Sequence, residues 1–188
     1  LTVRASQIKS DGYRENHLSK QKGMFVGLEH RGKKFTNQYR VHIGYENTQL
    51  LWDGVHMDDI KDRTKRRAGY QAYTDDFLQQ IYSVNTTSHL RENLFFRNVS
   101  YLVAGKGYYE VLKTGRDYYA YNLDVNNQFT DAQEQNMNTD LLRRKWIDNN
   151  YFGFVPTLTW KNDELRVDVG GEIRSYFGDH FGEVSQFS

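Results

Sequence analysis

An all-β, antiparallel fold is what this sequence predicts. Three observations predict it: strict alternation of apolar and polar residues, short polar turns between such stretches, and no apolar run long enough for a membrane helix. From Phe35 to Tyr45 one face reads Phe35, Asn37, Tyr39, Val41, Ile43, Tyr45, and the other Thr36, Gln38, Arg40, His42, Gly44. From Leu165 to Ile173 the faces are Leu165, Val167, Val169, Gly171, Ile173 and Arg166, Asp168, Gly170, Glu172, with Arg174 next. A period of two means β-strand. Soluble sheets alternate in the same way, so the pattern alone does not choose a solvent. Length helps: ten residues at roughly 3.3 Å each, tilted about 45°, rise roughly 23 Å, close to the ~25 Å apolar band of an outer-membrane barrel.

Taken in order, the chain reads as about seven strands: residues 1–9, 20–30, 34–52, 77–89, 94–108, 151–160 and 164–176. The segments His30 to Lys34, His89 to Asn93 and Lys161 to Glu164 are short, polar hairpin turns. Between them lie long connections, 50–76 and 109–149, and a modest one at 11–19. Long structureless loops count against a compact soluble domain. Short turns on one side and long loops on the other are the pattern of an outer-membrane barrel. No linker, low-complexity tract or fixed-period repeat divides the 188 residues, so the chain is one unit.

Composition narrows the classes. Net charge is +1, so no whole-chain field argues for nucleic acid. Cysteine is absent, which removes disulfides, thiolate metal sites and cysteine nucleophiles. A mean hydropathy of −0.82 excludes a transmembrane helix but not a barrel, whose strands hide half their residues in a polar lumen. Leu1 enters in mid-alternation, as a chain starting partway through a strand would.

Aromatic residues, 15% of the chain, fall where two interfacial girdles need them. Phe35, Phe95, Phe96 and Trp160 adjoin the short turns; Tyr45, Trp52, Tyr108, Tyr151, Phe152, Tyr176 and Phe177 adjoin the long loops. Aromatics can also cap the two ends of a sandwich core. In the strand at 94–108, Val99, Tyr101 and Val103 compete with Phe96, Leu102 and Ala104, so its lipid face stays open.

Four segments carry a resemblance. Ser10-Asp11-Gly12-Tyr13, Gly105-Lys106-Gly107-Tyr108-Tyr109-Glu110, Asp140 through Asn149, and Gly178-Asp179-His180-Phe181-Gly182-Glu183-Val184 resemble TonB-dependent receptors of the outer membrane, particularly the Bacteroidetes type. The segments stand in the family's order and span nearly the whole chain. The resemblance implies a transmembrane β-barrel of 22 strands, plugged by an N-terminal domain, that takes up an iron chelate or vitamin-like ligand with energy delivered through TonB. It also implies a bacterial outer-membrane location, contact with lipid and lipopolysaccharide, and a surface lipoprotein as a further partner. Residues 1–188 would then be an interior segment of the barrel domain, since nothing here resembles the plug and the tail after 176 reads as loop.

Few residues suggest chemistry. Asp53, His56, Asp58, Asp59 and Asp62 would suit a hard cation, but their spacing matches no calcium loop and reads as a solvated loop. Asp124, Asn126, Asp131 and Glu134 lack the glycine and closing glutamate of such a loop. The basic run Lys61, Arg63, Lys65, Arg66, Arg67 has no interleaved aromatics and acidic flanks, so it reads as a site for lipopolysaccharide phosphates or an anionic ligand rather than nucleic acid. His42 and Arg40 line a polar face; Arg166, Asp168, Glu172 and Arg174 read as cross-strand ion pairs. Gly105 and Gly107 read as a strand end. No catalytic constellation, metal site or cofactor is expected, and so no enzyme. Ligand contact in the resembled family involves outer loops and plug, which makes Trp52, His56, Tyr108, Tyr109 and Arg143 the ligand-binding candidates. The competing reading is a soluble or surface-exposed β-sandwich that binds carbohydrate through aromatic loops.

Overall fold

The structure, a computed structural model, describes residues 1–50, 54–68, 73–123, 129–130, 133 and 137–187. The chain is all-β. Its strands are β1 (Thr2–Ser10), β2 (Ser19–Arg31), β3 (Phe35–Leu50), β4 (Tyr73–Arg91), β5 (Leu94–Asp117), β6 (Asn138–Lys161), β7 (Arg166–Gly170) and β8 (Ile173–Phe187). They form one antiparallel sheet in chain order, with β7 and β8 both paired to β6. A five-residue helix, α1 (Arg63–Arg67), lies between β3 and β4.

β7 and β8 act as a single strand. Gly170 opposite Thr157 and Ile173 opposite Phe154 keep the same offset, and the ladder lapses only opposite Val155 and Pro156. Pro156 has no N–H to donate. Its carbonyl still accepts from the Gly171 amide at 3.1 Å. The chain is therefore a seven-stranded meander, as the alternation predicts.

The three short turns, 32–34, 92–93 and 162–165, lie at one end of the sheet, and the longer connections leave from the other, with 11–18, 54–68 and 118–123 among the described residues. Three expectations need correction. Residues 109–117 and 138–149 are strand, not loop, and pair Val111 with Arg143 and Leu112 with Leu142. The tail after 176 is strand to Phe187. Gly105 and Gly107 sit in the middle of β5, not at its end. Residues 109–117 and 138–149 carry charge on both faces, and in the tail Asp179 and Glu183 share a face with Phe177 and Phe181, so a period of two leaves no hydropathy signal.

Almost nothing is buried. Val111, Leu123 and Leu141 are the buried apolar side chains among the described residues. The accessible surface is 13441 Å². A compact monomer of 22.2 kDa would expose about 9,400 Å². The excess arises because strands pack edge to edge with their ladder neighbours, with no second layer across either face among the described residues.

Register then sorts the two faces. One row across the sheet is Val3, Val26, Val41, Tyr82, Leu102, Phe152 and Ser175, successive cross-strand partners. The rows on either side add Met24, Ile43, Ala104 and Phe177, and Leu28, Tyr39, Val84, Phe154 and Ile173. This apolar face is at least partly solvent-accessible throughout, with Tyr82 at 38% and Phe152 at 45% in its middle and Val3 at 63% and Ile173 at 70% at its edges. The opposite face carries Arg4, Arg40, His42, Ser83, Arg97, Arg166, Glu172 and Arg174. Leu102 and Ala104 thus settle the open phase of β5: the even positions join the apolar face, and Val99, Tyr101 and Val103 join the polar one.

Candidate functional site

The polar face is the first place where this chain could hold a ligand. Small and amide side chains cross its middle in one row: Ser6, Gly23, Gly44, Gln79, Gly105, Asn149 and Gly178 are successive ladder partners. Without side chains at three of the first five positions, the backbone lies open or is covered by neighbouring rings. A Cβ on Gly44 would meet nothing within 4 Å, whereas one on Gly105 would lie 2.7 Å from the Phe77 ring. Two adjoining hollows result. One, of about 440 Å³, is lined by Gln21, Gly44, Glu46, Phe77 and Gln79 among others; the second, about 210 Å³, by Arg4, Ser6, Gly23, Phe25 and His42 among others. His42 packs against the Phe25 ring at 4.6 Å between centroids.

Toward the short turns this face is cross-linked by charge. Arg166 donates to Asp168 at 2.7 Å, Asp168 also accepts from Thr159 Oγ1, and Arg97 approaches Asp168 at 3.8 Å. Tyr101 donates to Glu172 at 3.2 Å, and Arg174 donates to Tyr151 at 3.3 Å. The expected cross-strand ion pairs need correction: Arg166–Asp168 and Arg174–Glu172 each join residues two apart along the chain, and the links between strands are Thr159 and Arg97 to Asp168, Tyr101 to Glu172 and Arg174 to Tyr151.

The long-loop end is the second place. Residues 118–123 fold back beside β8, with Tyr118 edge-on to Phe187 at 6.0 Å. Residues 120–123 line a hollow of about 530 Å³ with Arg143, Glu183, Val184 and Phe187 among others. The Arg143 Nε is buried there without a hydrogen-bond partner among the described residues. The other two long connections hold each other: the Glu15 amide donates to the Arg67 carbonyl at 2.9 Å, and the Arg67 guanidinium lies 5.5 Å over the Tyr13 ring.

The five ligand-binding candidates do not form one cluster. Trp52 lies outside the described residues, as do Asp53, Asp124, Asn126, Asp131 and Glu134. His56 sits exposed on the 51–72 connection, its Nδ1 3.4 Å from Asp58. Tyr108 and Tyr109 are consecutive on β5 and so point to opposite faces. Tyr108 packs on the Trp146 ring at 4.6 Å and under the Arg144 guanidinium at 4.5 Å, on the apolar side. Tyr109 stacks on Tyr73 at 6.1 Å, on the polar side with Arg143. Of the set, Tyr109 and Arg143 share a face.

The acidic connection is occupied by its own hydrogen bonds. Asp62 caps α1, accepting from the amides of Thr64 and Lys65, and Asp59 accepts from Lys65 Nζ at 2.8 Å. That hydrogen bond raises the Lys65 pKa. No group of three or more His, Asp or Glu side chains among the described residues could hold a metal ion.

Sequence reasoning missed Trp146, whose indole donates to Glu183 at 2.7 Å and stacks on Phe181 at 5.9 Å. The aromatic spacing Tyr108, Trp146, Phe181 carried the signal, but only register brings the three side by side. Comparison with family models, with curated proteins and with solved structures finds no match to this chain.

Proposed function

We propose that this chain is part of the wall of a bacterial outer-membrane β-barrel, and that the barrel is a TonB-dependent receptor importing a scarce small ligand such as an iron chelate or vitamin. One observation carries the barrel reading: a single, unpacked sheet with a largely apolar face on one side, broken by Gln80, Ser100, Asn150 and Ser175, and a polar, charged face on the other. In water such a face would have to be covered. In a bilayer it faces lipid while the polar face lines the lumen.

Strand geometry supports the same reading. Thr36, in the last ladder pair of its hairpin, is level with Arg97, three residues in from Leu94, and with Gly170, four in from Arg166. The turn end therefore steps by about one residue per strand. With ~3.3 Å per residue and ~4.8 Å between strands, that is a tilt of about 35°, within the range of barrels. On β6 the apolar positions Trp160, Leu158, Pro156, Phe154 and Phe152 then cover roughly 22 Å along the axis, close to the ~25 Å band.

The sheet is open, with β1 at one edge and β7 and β8 at the other. Bare edges in hydrocarbon cost several kcal/mol per unpaired backbone group, so the reading requires further strands to close the barrel. The receptor and its TonB coupling rest on the resembling segments, not on the geometry. A carbohydrate-binding sandwich would need a second sheet against the apolar face, and the described residues form one sheet.

The test is fractionation of native cells with an antibody to this segment. A band several times heavier than 22.2 kDa in the outer-membrane fraction supports the reading. A water-soluble band at the chain's own mass refutes it.

A further inference from the structure

The apolar face ends abruptly on the long-loop side. Ala5, Met24 and Ile43 are followed one row up by Gln7, Lys22 and Tyr45, and a second row up by Lys9, Lys20 and Asn47. Lys9 and Lys20 are direct cross-strand partners, and Lys22 is two residues along β2 from Lys20. Like charges placed directly opposite one another destabilise a ladder. Here no carboxylate relieves them: none of the ion pairs among the described residues includes Lys9, Lys20 or Lys22. The next carboxylate along the row, Asp76, already accepts from Tyr45 Oη and Asn47 Nδ2, both at 2.8 Å. Asp11, beyond the end of β1, is exposed and in no ion pair among the described residues.

The three lysines border one hollow. Lys9, Lys20, Lys22, Gln7, Tyr45 and Asn47 line a hollow of about 490 Å³, open on the same side as the apolar face. Three lysine side chains bordering one hollow can bring their ammonium groups to a phosphate, whose oxygens accept several charge-assisted hydrogen bonds at once.

We propose that Lys9, Lys20 and Lys22 form a phosphate-binding site, and that its occupant is the headgroup of an anionic lipid whose acyl chains lie along Met24, Ala5 and Ile43. The lipid assignment rests on the membrane reading above, because the hollow directly adjoins the face assigned to hydrocarbon. The long-loop side of such a barrel is its outer side, so the lipid belongs to the outer leaflet. The anion assignment rests on the lysines alone.

The experiment compares the protein that carries this chain with its Lys9→Gln/Lys20→Gln/Lys22→Gln variant and with the corresponding triple arginine variant. Each is placed in phosphatidylcholine nanodiscs with increasing phosphatidylglycerol, and retained lipid is read by native mass spectrometry. Loss of about fivefold for each ammonium removed predicts roughly a hundredfold weaker phosphatidylglycerol binding in the glutamine variant. The arginine variant should retain binding, which separates lost charge from misfolding. Unchanged phosphatidylglycerol retention in the glutamine variant overturns the proposal.

A second arm titrates inorganic phosphate and needs no bilayer, so it reads the lysines even if the protein proves water-soluble. Phosphate binding that matches phosphatidylglycerol in strength and falls equally with the glutamine variant overturns the lipid assignment in favour of free phosphate. Weak phosphate binding with strong, lysine-dependent phosphatidylglycerol binding supports it.

Discussion

Leu102 and Phe152 stand directly opposite one another on β5 and β6, in one row with Tyr82 and Val41. Their sequence neighbours Tyr101 and Tyr151 lie on the other face, ring centroids 5.6 Å apart and hydrogen-bonded to Glu172 and Arg174. One residue of register separates an apolar environment from a charged one. In the barrel reading, Phe154→Arg, two residues further into the apolar band of β6, places a cation against lipid near the middle of that band and costs about 2–4 kcal/mol of stability. Tyr101→Arg, on the polar face, should cost much less. Urea unfolding of the two variants in bilayers checks the difference.

Two glycines on the polar face should respond in opposite ways. A Cβ on Gly107 would lie 2.7 Å from the backbone Cα of Phe77, so β4 and β5 would have to move apart. Gly107→Ala is expected to destabilise by about 1–3 kcal/mol. Gly44→Ala meets open space and should stay within about 0.5 kcal/mol of the parent. Denaturation midpoints of the pair decide it.

Arg144 joins two strands at the long-loop end. Its Nε donates to Glu110 at 2.6 Å and its guanidinium covers Tyr108 at 4.5 Å. Both partners of the ion pair are mostly shielded, with side chains 30% and 20% exposed. Arg144→Ala should cost about 1–2 kcal/mol from the lost charged hydrogen bond and ring contact. A double-mutant cycle with Tyr108→Ala should show coupling; additive effects would contradict the ring contact.

The Asp62 cap and the Asp59–Lys65 pair hold α1. Asp62→Ala should weaken the helix by about 1 kcal/mol, seen as faster amide exchange across residues 63–67. The Lys65 pKa lies above its ordinary 10.5. Its contribution is therefore complete at neutral pH and lost only as pH rises through that raised value. Exchange protection that falls between pH 6 and 9, after correction for the intrinsic rate, would contradict the pairing.

Much of the meander could be read directly, because β2, β3 and β7 alternate between an apolar and a polar face. Val167 and Val169 against Arg166 and Asp168 left little ambiguity. The loop-side halves of β5 and β6 could not be read, because Glu110 and Lys113, and Arg143, Arg144 and Lys145, put charge on both faces; in β8 Asp179 and Glu183 share a face with Phe177 and Phe181, which hides the period. The phase of β5 also needed its neighbours: Val103 and Leu102 are equally apolar, and only pairing with Ile81 and Tyr82 separates them. Site residues fared worst. Tyr108, Tyr109 and Arg143 are near in the chain's fold yet divided between faces, and the lysine hollow joins Lys9 and Lys22 with Tyr45 across three strands.

The most direct test of the barrel wall uses the chain's lack of cysteine. Single Tyr101→Cys and Leu102→Cys variants of the protein that carries this chain are labelled with a polarity-sensitive fluorophore in bilayers containing lipid-borne quenchers. The account predicts a blue-shifted, lipid-quenched label at position 102 and a red-shifted, water-quenched one at 101. Labels equally exposed to water at both positions would contradict it.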